Sequence, residues 1–375
     1  MFRLPLVARW FLLVLVAFCS MLSAQETVQT TFDSDANTWL LANSQIRVQY
    51  RLDEDRRLRL WDLRRSTGEA WVEGGMPYST PFQMELDDAI LDDQTAWFLV
   101  FTYDEQAANG RRHVLQLVNE PGTASLTLTL EIHPGQPFIR WSYKYRNLDI
   151  TAHTVLSVRY TNLRVLPAQR PVRAFYVNQV RQGTPLMFEP NERTLDYEPA
   201  GVSVQGGAYG DHCTWLALRD GQDQGLILGW EFDGRAYLNA SFDPESGNLD
   251  LWGAPVSMNA VVPPDGELRA PAAFVGLFNG DWDEAAYRTH RYVEAVLAPP
   301  PPDAQFPYFA FDTWGYQQNI DETTLRRAAE IAAEIGVEMF VVDLGWARRI
   351  GDWEADPVKF PSGFAAFREH VRSLG

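Results

Sequence analysis

From about Asn43 to Gly276 apolar and polar residues alternate with a period of two, and this constrains the fold more than any other feature of the chain. Successive side chains of a strand point to opposite faces. Leu126, Leu128, Leu130 and Ile132 therefore share one face, as do Ile139, Trp141, Tyr143 and Tyr145 beyond the turn residues His133-Pro134-Gly135-Gln136. Ile46, Val48 and Tyr50 alternate in the same way, followed by Leu58 and Leu60 after Asp53-Glu54-Asp55. Trp215 to Leu218, the turn Asp220-Gly221-Gln222-Asp223 and Gly225 to Trp230 form a further pair. Strands with one apolar face fit antiparallel sheets buried on one side. So many short ones in succession predict a large β-sandwich over residues 25–278.

The period then changes. Asp281, with Glu284 three residues on, is the signature of a capping box and predicts a helix reaching Leu297. Pro299 to Pro302 cannot continue it, because four prolines remove the amide donors and favour an extended chain. Residues 279–306 are thus expected to be a connecting helix and a proline-rich linker. Beyond them a strand is expected at Tyr308 to Phe311, then a helix over Glu322 to Ile335 whose stripe is Leu325, Ala328, Ile331, Ala332 and Ile335, stopped by Gly336. A second strand, Glu338 to Asp343, and a second helix, Phe364 to Leu374 with Gly375 at its end, follow. Strand, helix, strand, helix is the order of a parallel α/β domain. A (β/α)8 barrel takes about 250 residues, so residues 307–375 are expected to be its first two units, and the chain a fragment of a longer protein.

The 375 residues are 46% apolar and 13% aromatic, enough for a buried core and not the composition of a disordered chain. Arg3 and Arg9 flank the start of an apolar run, Trp10 to Phe18, and Ser23-Ala24 precede Gln25, so residues 1–24 are expected to be an export signal. The protein is then secreted, periplasmic or held at the cell surface. Leu22 departs from the usual small residue at its cleavage position, and a membrane enters only if the signal stays attached. No other run approaches the ~20 apolar residues of a span. Cys19 lies in the signal and Cys213 stands alone, which leaves no internal disulfide. The net charge of −17 opposes nucleic acid and is compatible with a neutral carbohydrate. Homo-oligomerisation is left open.

Asp343 ends a predicted strand, where barrel enzymes place their working side chains, and Trp314 follows the preceding strand in the corresponding position. Trp346 and Trp353 lie in the long loop after Asp343. Indole faces stack on the C–H faces of a pyranose, and a carboxylate accepts hydrogen bonds from its hydroxyls. The competing readings are that Asp343 merely caps its loop and that one of the two loop indoles, Trp353 before Trp346, only packs it. The six histidines have no spacing that sets two on one helix face or turn, so no metal is expected. No cofactor is expected either, since Gly206-Gly207-Ala208-Tyr209-Gly210 lacks the following Lys-Ser or Lys-Thr of a phosphate cradle. His212 and Cys213 are adjacent, which on a strand points them to opposite faces, and an inert thiol is expected.

Phe311-Asp312-Thr313-Trp314, then Phe340-Val341-Val342-Asp343-Leu344-Gly345-Trp346, then Gly351-Asp352-Trp353-Glu354-Ala355-Asp356 and Lys359-Phe360-Pro361-Ser362-Gly363 resemble the start of the catalytic barrel of the melibiases, the α-galactosidases of glycoside hydrolase family 36. Asn279-Gly280-Asp281-Trp282-Asp283-Glu284-Ala285-Ala286 resembles the helix between that family's sandwich and barrel. The resemblance spans residues 279–375, weakens over 205–278 and rests on β character before that. It implies an N-terminal β-supersandwich, a β/α barrel and a retaining hydrolysis of α-galactosides, which needs two carboxyl groups about 5 Å apart. Both fall on later barrel strands in the family, so no catalytic residue is expected before Gly375. The resemblance makes Trp314 a sugar-contacting indole and Asp343 the first of two successive carboxylates that bind galactose hydroxyls; Asp312, Trp346 and Trp353 are expected beside them as further substrate-binding residues. Leu344 departs from it in the place of the second carboxylate, which opens the site to a different α-linked sugar. A non-catalytic glycan-binding protein and an α-glycosyl transglycosylase are the alternatives.

Overall fold

The computed structural model describes residues 28–68, 70–167, 169–179, 188–195, 200–207, 211–232, 234–298, 307 and 309–375. The expected signal, residues 1–24, and the proline run lie outside them. The chain forms two compact units, Met1–Ala298 and Pro299–Gly375.

The first unit is mostly antiparallel β-sheet. One sheet runs in the order Gln29–Asp33, Thr38–Ala42, Ile46–Leu52, Leu58–Arg65, Ala70–Glu73. A larger one runs Phe188–Leu195, Val172–Gln179, Trp215–Arg219, Gln224–Glu231, Ala272–Asn279, Phe138–Asn147, Ala124–Ile132, Gly110–Asn119, Trp97–Ala107, with Glu267–Arg269 also beside Phe138–Asn147. Two four-stranded sheets complete the described part. The alternation sets the register: Leu126 faces Tyr145, Leu128 faces Tyr143, Leu130 faces Trp141 and Ile132 faces Ile139. All eight are buried, in one continuous core with Trp39, Leu41, Val48 and Tyr50 from the five-stranded sheet. Each such burial contributes about 1.5–3 kcal/mol. Trp141 also places its one polar atom, with Nε1 donating to the Tyr160 carbonyl at 2.7 Å.

The middle of the large sheet departs from the expected single buried face. Gln224–Glu231 and Ala272–Asn279 are buried on both faces over nearly their whole length. The second face is covered by the helix Trp282–Tyr292, through a cluster of Phe138, Ile227, Phe274, Phe278, Ala285 and Tyr292. Glycines make the room. A Cβ on Gly225 would come within 1.9 Å of the Phe278 ring, one on Gly229 within 2.1 Å of Phe274, and one on Gly276 within 2.2 Å of Phe138. The Asp281 carboxylate caps this helix by accepting from the Glu284 amide at 3.1 Å. The reciprocal half of the capping box is replaced by an ion pair, because the Glu284 carboxylate accepts from Arg288 at 2.6 Å. The helix passes into a π-helical turn, Val293–Leu297.

In the second unit Ala310–Asp312 and Met339–Val341 pair in parallel, Phe311 opposite Phe340. Both strands are shorter than their apolar runs. The helix between them, Glu322–Glu334, starts on the Asp321 carboxylate, which accepts from the Thr324 amide at 2.8 Å, and ends before Gly336, whose φ of +82° suits glycine. Its buried face is Leu325, Ala328, Ala329 and Ala332. Ile331 and Ile335, expected in that stripe, are 50% and 61% exposed. The cause is angular: at about 100° per residue the buried arc is centred between Leu325 and Ala332, and Ile331 and Ile335 fall on its flank, Ile335 already at the C-cap. A second helix, Phe364–Ser373, joins Ile320, Leu325, Phe360 and Phe367 in a small core.

Candidate functional site

Asp343 stands two residues beyond the strand Met339–Val341. Its amide donates to the Oγ1 of Thr313 at 2.8 Å, and Thr313 is fully buried just after Ala310–Asp312, so the ends of the two parallel strands are tied together. The half-buried Asp343 carboxylate accepts from the amide of Leu344. One oxygen is thereby held in place, and the second is free of any protein hydrogen bond among the described residues.

The next residues turn back sharply. Gly345 has a φ of +102°, and a Cβ there would sit 2.8 Å from the Cα of Gln318, so this close approach requires glycine. Lys359 closes the turn: its Nζ donates to the Gly345 carbonyl at 2.7 Å and to the Gln318 carbonyl at 2.9 Å. Lys359 is held in its turn by the helix start, since its own carbonyl accepts from the Glu322 amide at 2.8 Å. The Glu322 carboxylate accepts from the Ser362 amide at 3.0 Å and from Arg326. Those two partners, the Ser362 amide first, hold it below the usual carboxylate range. Phe360, fully buried beside Lys359, anchors the segment in the small core.

These elements enclose a concavity of 640 Å³ lined by, among others, Asp343, Leu344, Trp346, Arg349, Trp353 and Lys359. Trp346 packs on Phe364 with ring centroids 5.1 Å apart and belongs to the small core. Trp353 lies 6.1 Å from Trp346, is 80% exposed and has a φ of +52°, an uncommon backbone for a bulky residue. An acid, an apolar residue and two indoles on one wall can hold a ring that carries both hydroxyls and C–H faces.

Of the predicted site residues, the concavity brings together Asp343, Trp346 and Trp353, and does not include Asp312 or Trp314. The Asp312 carboxylate accepts from the Trp314 amide at 2.8 Å, capping the 3-10 turn Thr313–Tyr316, on which Trp314 is 43% exposed. The packing reading fits Trp346 and not Trp353, because Trp346 lies on the Phe364 side of the loop and Trp353 is open to solvent. Lys359, Gln318 and Arg349 join the concavity without a sequence signal for that role. Lys359 stands in a recognisable motif, but its partners are backbone carbonyls, which leave no mark on the sequence. Cys213 is half-buried, and burial pushes its thiol up, as an inert thiol requires.

No protein-family model matches the sequence. The α-galactosidase of Escherichia coli is 38% identical over a 72-residue alignment, which covers 17% of this chain and 10% of that protein. Probable α-galactosidase G of Aspergillus terreus is 35% identical over 74 residues, again 17% and 10%. Over that stretch the chain is similar to α-galactosidases. The fold agrees with theirs over most of its length. The α-galactosidase structure from Lactobacillus brevis superposes with a TM-score of 0.73 at 14% identity, over 92% of this chain and 54% of that one. The family 36 α-galactosidase AgaB of Geobacillus stearothermophilus does so with a TM-score of 0.71 at 15% identity, over 92% and 55%. The chain therefore spans about half the length of the solved α-galactosidases it matches, all of which are glycoside hydrolases.

Proposed function

We propose that the intact protein is an exported α-glycosidase of the retaining type, acting on terminal α-linked galactose or a related sugar without a cofactor. The observation that carries this reading is Asp343, placed after a parallel strand on the wall of a concavity that it shares with Trp346 and Trp353. In the reading, the second unit is the opening of a (β/α)8 barrel, and the first is the supersandwich that precedes it. The parallel pairing of Ala310–Asp312 with Met339–Val341 around a helix supports the barrel. Variants of a second Geobacillus stearothermophilus α-galactosidase of similar fold, AgaA, have been solved with raffinose and with stachyose, which supports α-galactosides as the first class to try. The nucleophile and the acid/base carboxyl, about 5 Å apart in a retaining enzyme, would come from a segment after Gly375. Leu344 favours a variation within this reading. It cannot accept from a sugar hydroxyl, and a hydroxyl buried against it without a partner costs about 1–3 kcal/mol, so a sugar lacking that hydroxyl is preferred.

Intact protein incubated with aryl α-galactoside and aryl α-glucoside is expected to release the phenol, with the α-anomer of the free sugar appearing first. The 375-residue chain alone is expected to release none. Absence of turnover of every aryl α-glycoside by the intact protein overturns the reading in favour of a glycan-binding protein.

A further inference from the structure

A second cluster of acidic and imidazole groups lies in the first unit, unconnected with Asp343. Asp87 and Asp88 occupy the turn between the strands Gln83–Leu86 and Ile90–Leu91, closed by the Leu86 amide on the Ala89 carbonyl at 2.7 Å. The Asp87 amide donates to the Thr154 carbonyl at 2.9 Å, which sets the turn against the start of the strand His153–Arg159. His153 is 4% exposed. Its Nδ1 lies 3.0 Å from an Asp88 oxygen and 3.7 Å from an Asp87 oxygen, and its Nε2 lies 3.5 Å from an Asp149 oxygen.

Two further features set this apart from an ordinary surface cluster. Nε2 of His153 is buried and makes no hydrogen bond, and neither does the buried hydroxyl of Tyr145. Burial pushes that hydroxyl up to about 12, and the charges of Asp88, Asp149 and Asp87 add to the shift. Among the described residues no lysine or arginine forms an ion pair with Asp87, Asp88 or Asp149. Three carboxylates thus converge on one buried ring with no fixed cation between them.

We propose that Asp87, Asp88 and His153 bind a divalent transition-metal ion. One oxygen from each acid and Nδ1 of the ring all lie within 4.8 Å of one another. Ligands 2.0–2.2 Å from such an ion stand about 3.0–3.5 Å apart, so the observed 3.0 and 3.7 Å need only small carboxylate rotations. One imidazole nitrogen with two carboxylates suits zinc or manganese better than calcium or magnesium. Asp149 then acts as a positioning residue, accepting the Nε2 proton and fixing the tautomer that turns the Nδ1 lone pair to the ion. The ion would fasten the 87–88 turn and the Asp149 loop to the strand His153–Arg159. No spacing of histidines announces such a site, because Asp88 lies 65 positions from the ring and Asp87 one further.

Chelator-stripped intact protein, titrated with zinc chloride in a calorimeter, is expected to show one saturable site per chain. Asp87 and Asp88 are exposed turn residues, so the double variant D87N/D88N is expected to fold and to bind zinc at least about 10²-fold more weakly, while Asp149→Asn weakens binding about 10-fold. No saturable binding by the wild-type protein, or equal affinity in D87N/D88N, overturns the proposal. The wild-type titration decides it even if the double variant does not fold.

Discussion

Asp343→Asn in the intact protein is expected to lower kcat/KM for an aryl α-galactoside about 10²-fold while leaving the unfolding transition in place. The asparagine keeps an oxygen for the Leu344 amide, so the turn that Asp343 now holds is preserved. What is lost is the negative charge on the concavity. Hydrogen bonds to a charged group contribute about 1.5–3 kcal/mol, and every 1.36 kcal/mol is a factor of ten in rate. One or two hydroxyls accepted by Asp343 therefore correspond to roughly that loss. A variant with wild-type kinetics would mean that Asp343 only caps its loop, as Asp312 does. Measuring kcat and KM separately adds information, because loss in KM alone assigns the carboxylate to uniform binding and not to the transition state.

The second large effect is on stability. Trp141→Ala is expected to destabilise the β-sheet unit by about 3–5 kcal/mol, measured as the shift of the urea transition followed by far-UV circular dichroism. Trp141 is buried opposite Leu130 in the centre of the large sheet, and its removal leaves both a cavity and an unpaired Tyr160 carbonyl. Ile150→Ala, at a position 90% exposed, is expected to shift the same transition by less than about 0.5 kcal/mol. Similar shifts for the two variants would contradict the placement of the core between the sheets.

The strand pairings were legible where the alternation was complete. The hairpin joining Leu126 to Ile132 with Phe138 to Tyr145 follows from period two alone, because a slip of one residue would turn every apolar side chain outward. Gln224–Glu231 was legible as a strand but not as one covered twice. Its glycines, Gly225 and Gly229, look like weak points until the rings of Phe278 and Phe274 are seen to occupy the space. The helix cap at Asp281 was legible because it is local. The fate of Glu284 was not, since its choice between the Asp281 amide and Arg288 depends on side-chain reach.

The site was legible in part for the same reasons. Asp343, Trp346 and Trp353 lie within eleven residues of one another and share one loop, so sequence proximity predicts spatial proximity. Trp314 and Asp312 sit on another strand end, where the local 3-10 turn sets their direction. Lys359 acts through the carbonyls of Gly345 and Gln318, partners that any sequence would offer. The Asp87, Asp88 and His153 cluster forms only once the strand Gln83–Leu86 lies beside His153–Arg159.

The most direct test is a crystal structure of the intact protein with 1-deoxygalactonojirimycin, the ligand in one of the solved AgaA complexes. The sugar-like ring is expected in the concavity beside Trp346 and Trp353, with the free oxygen of Asp343 accepting from a ring hydroxyl at about 2.6–3.0 Å. A ring bound elsewhere, or one bound there while Asp343 touches only the Leu344 amide, would contradict it.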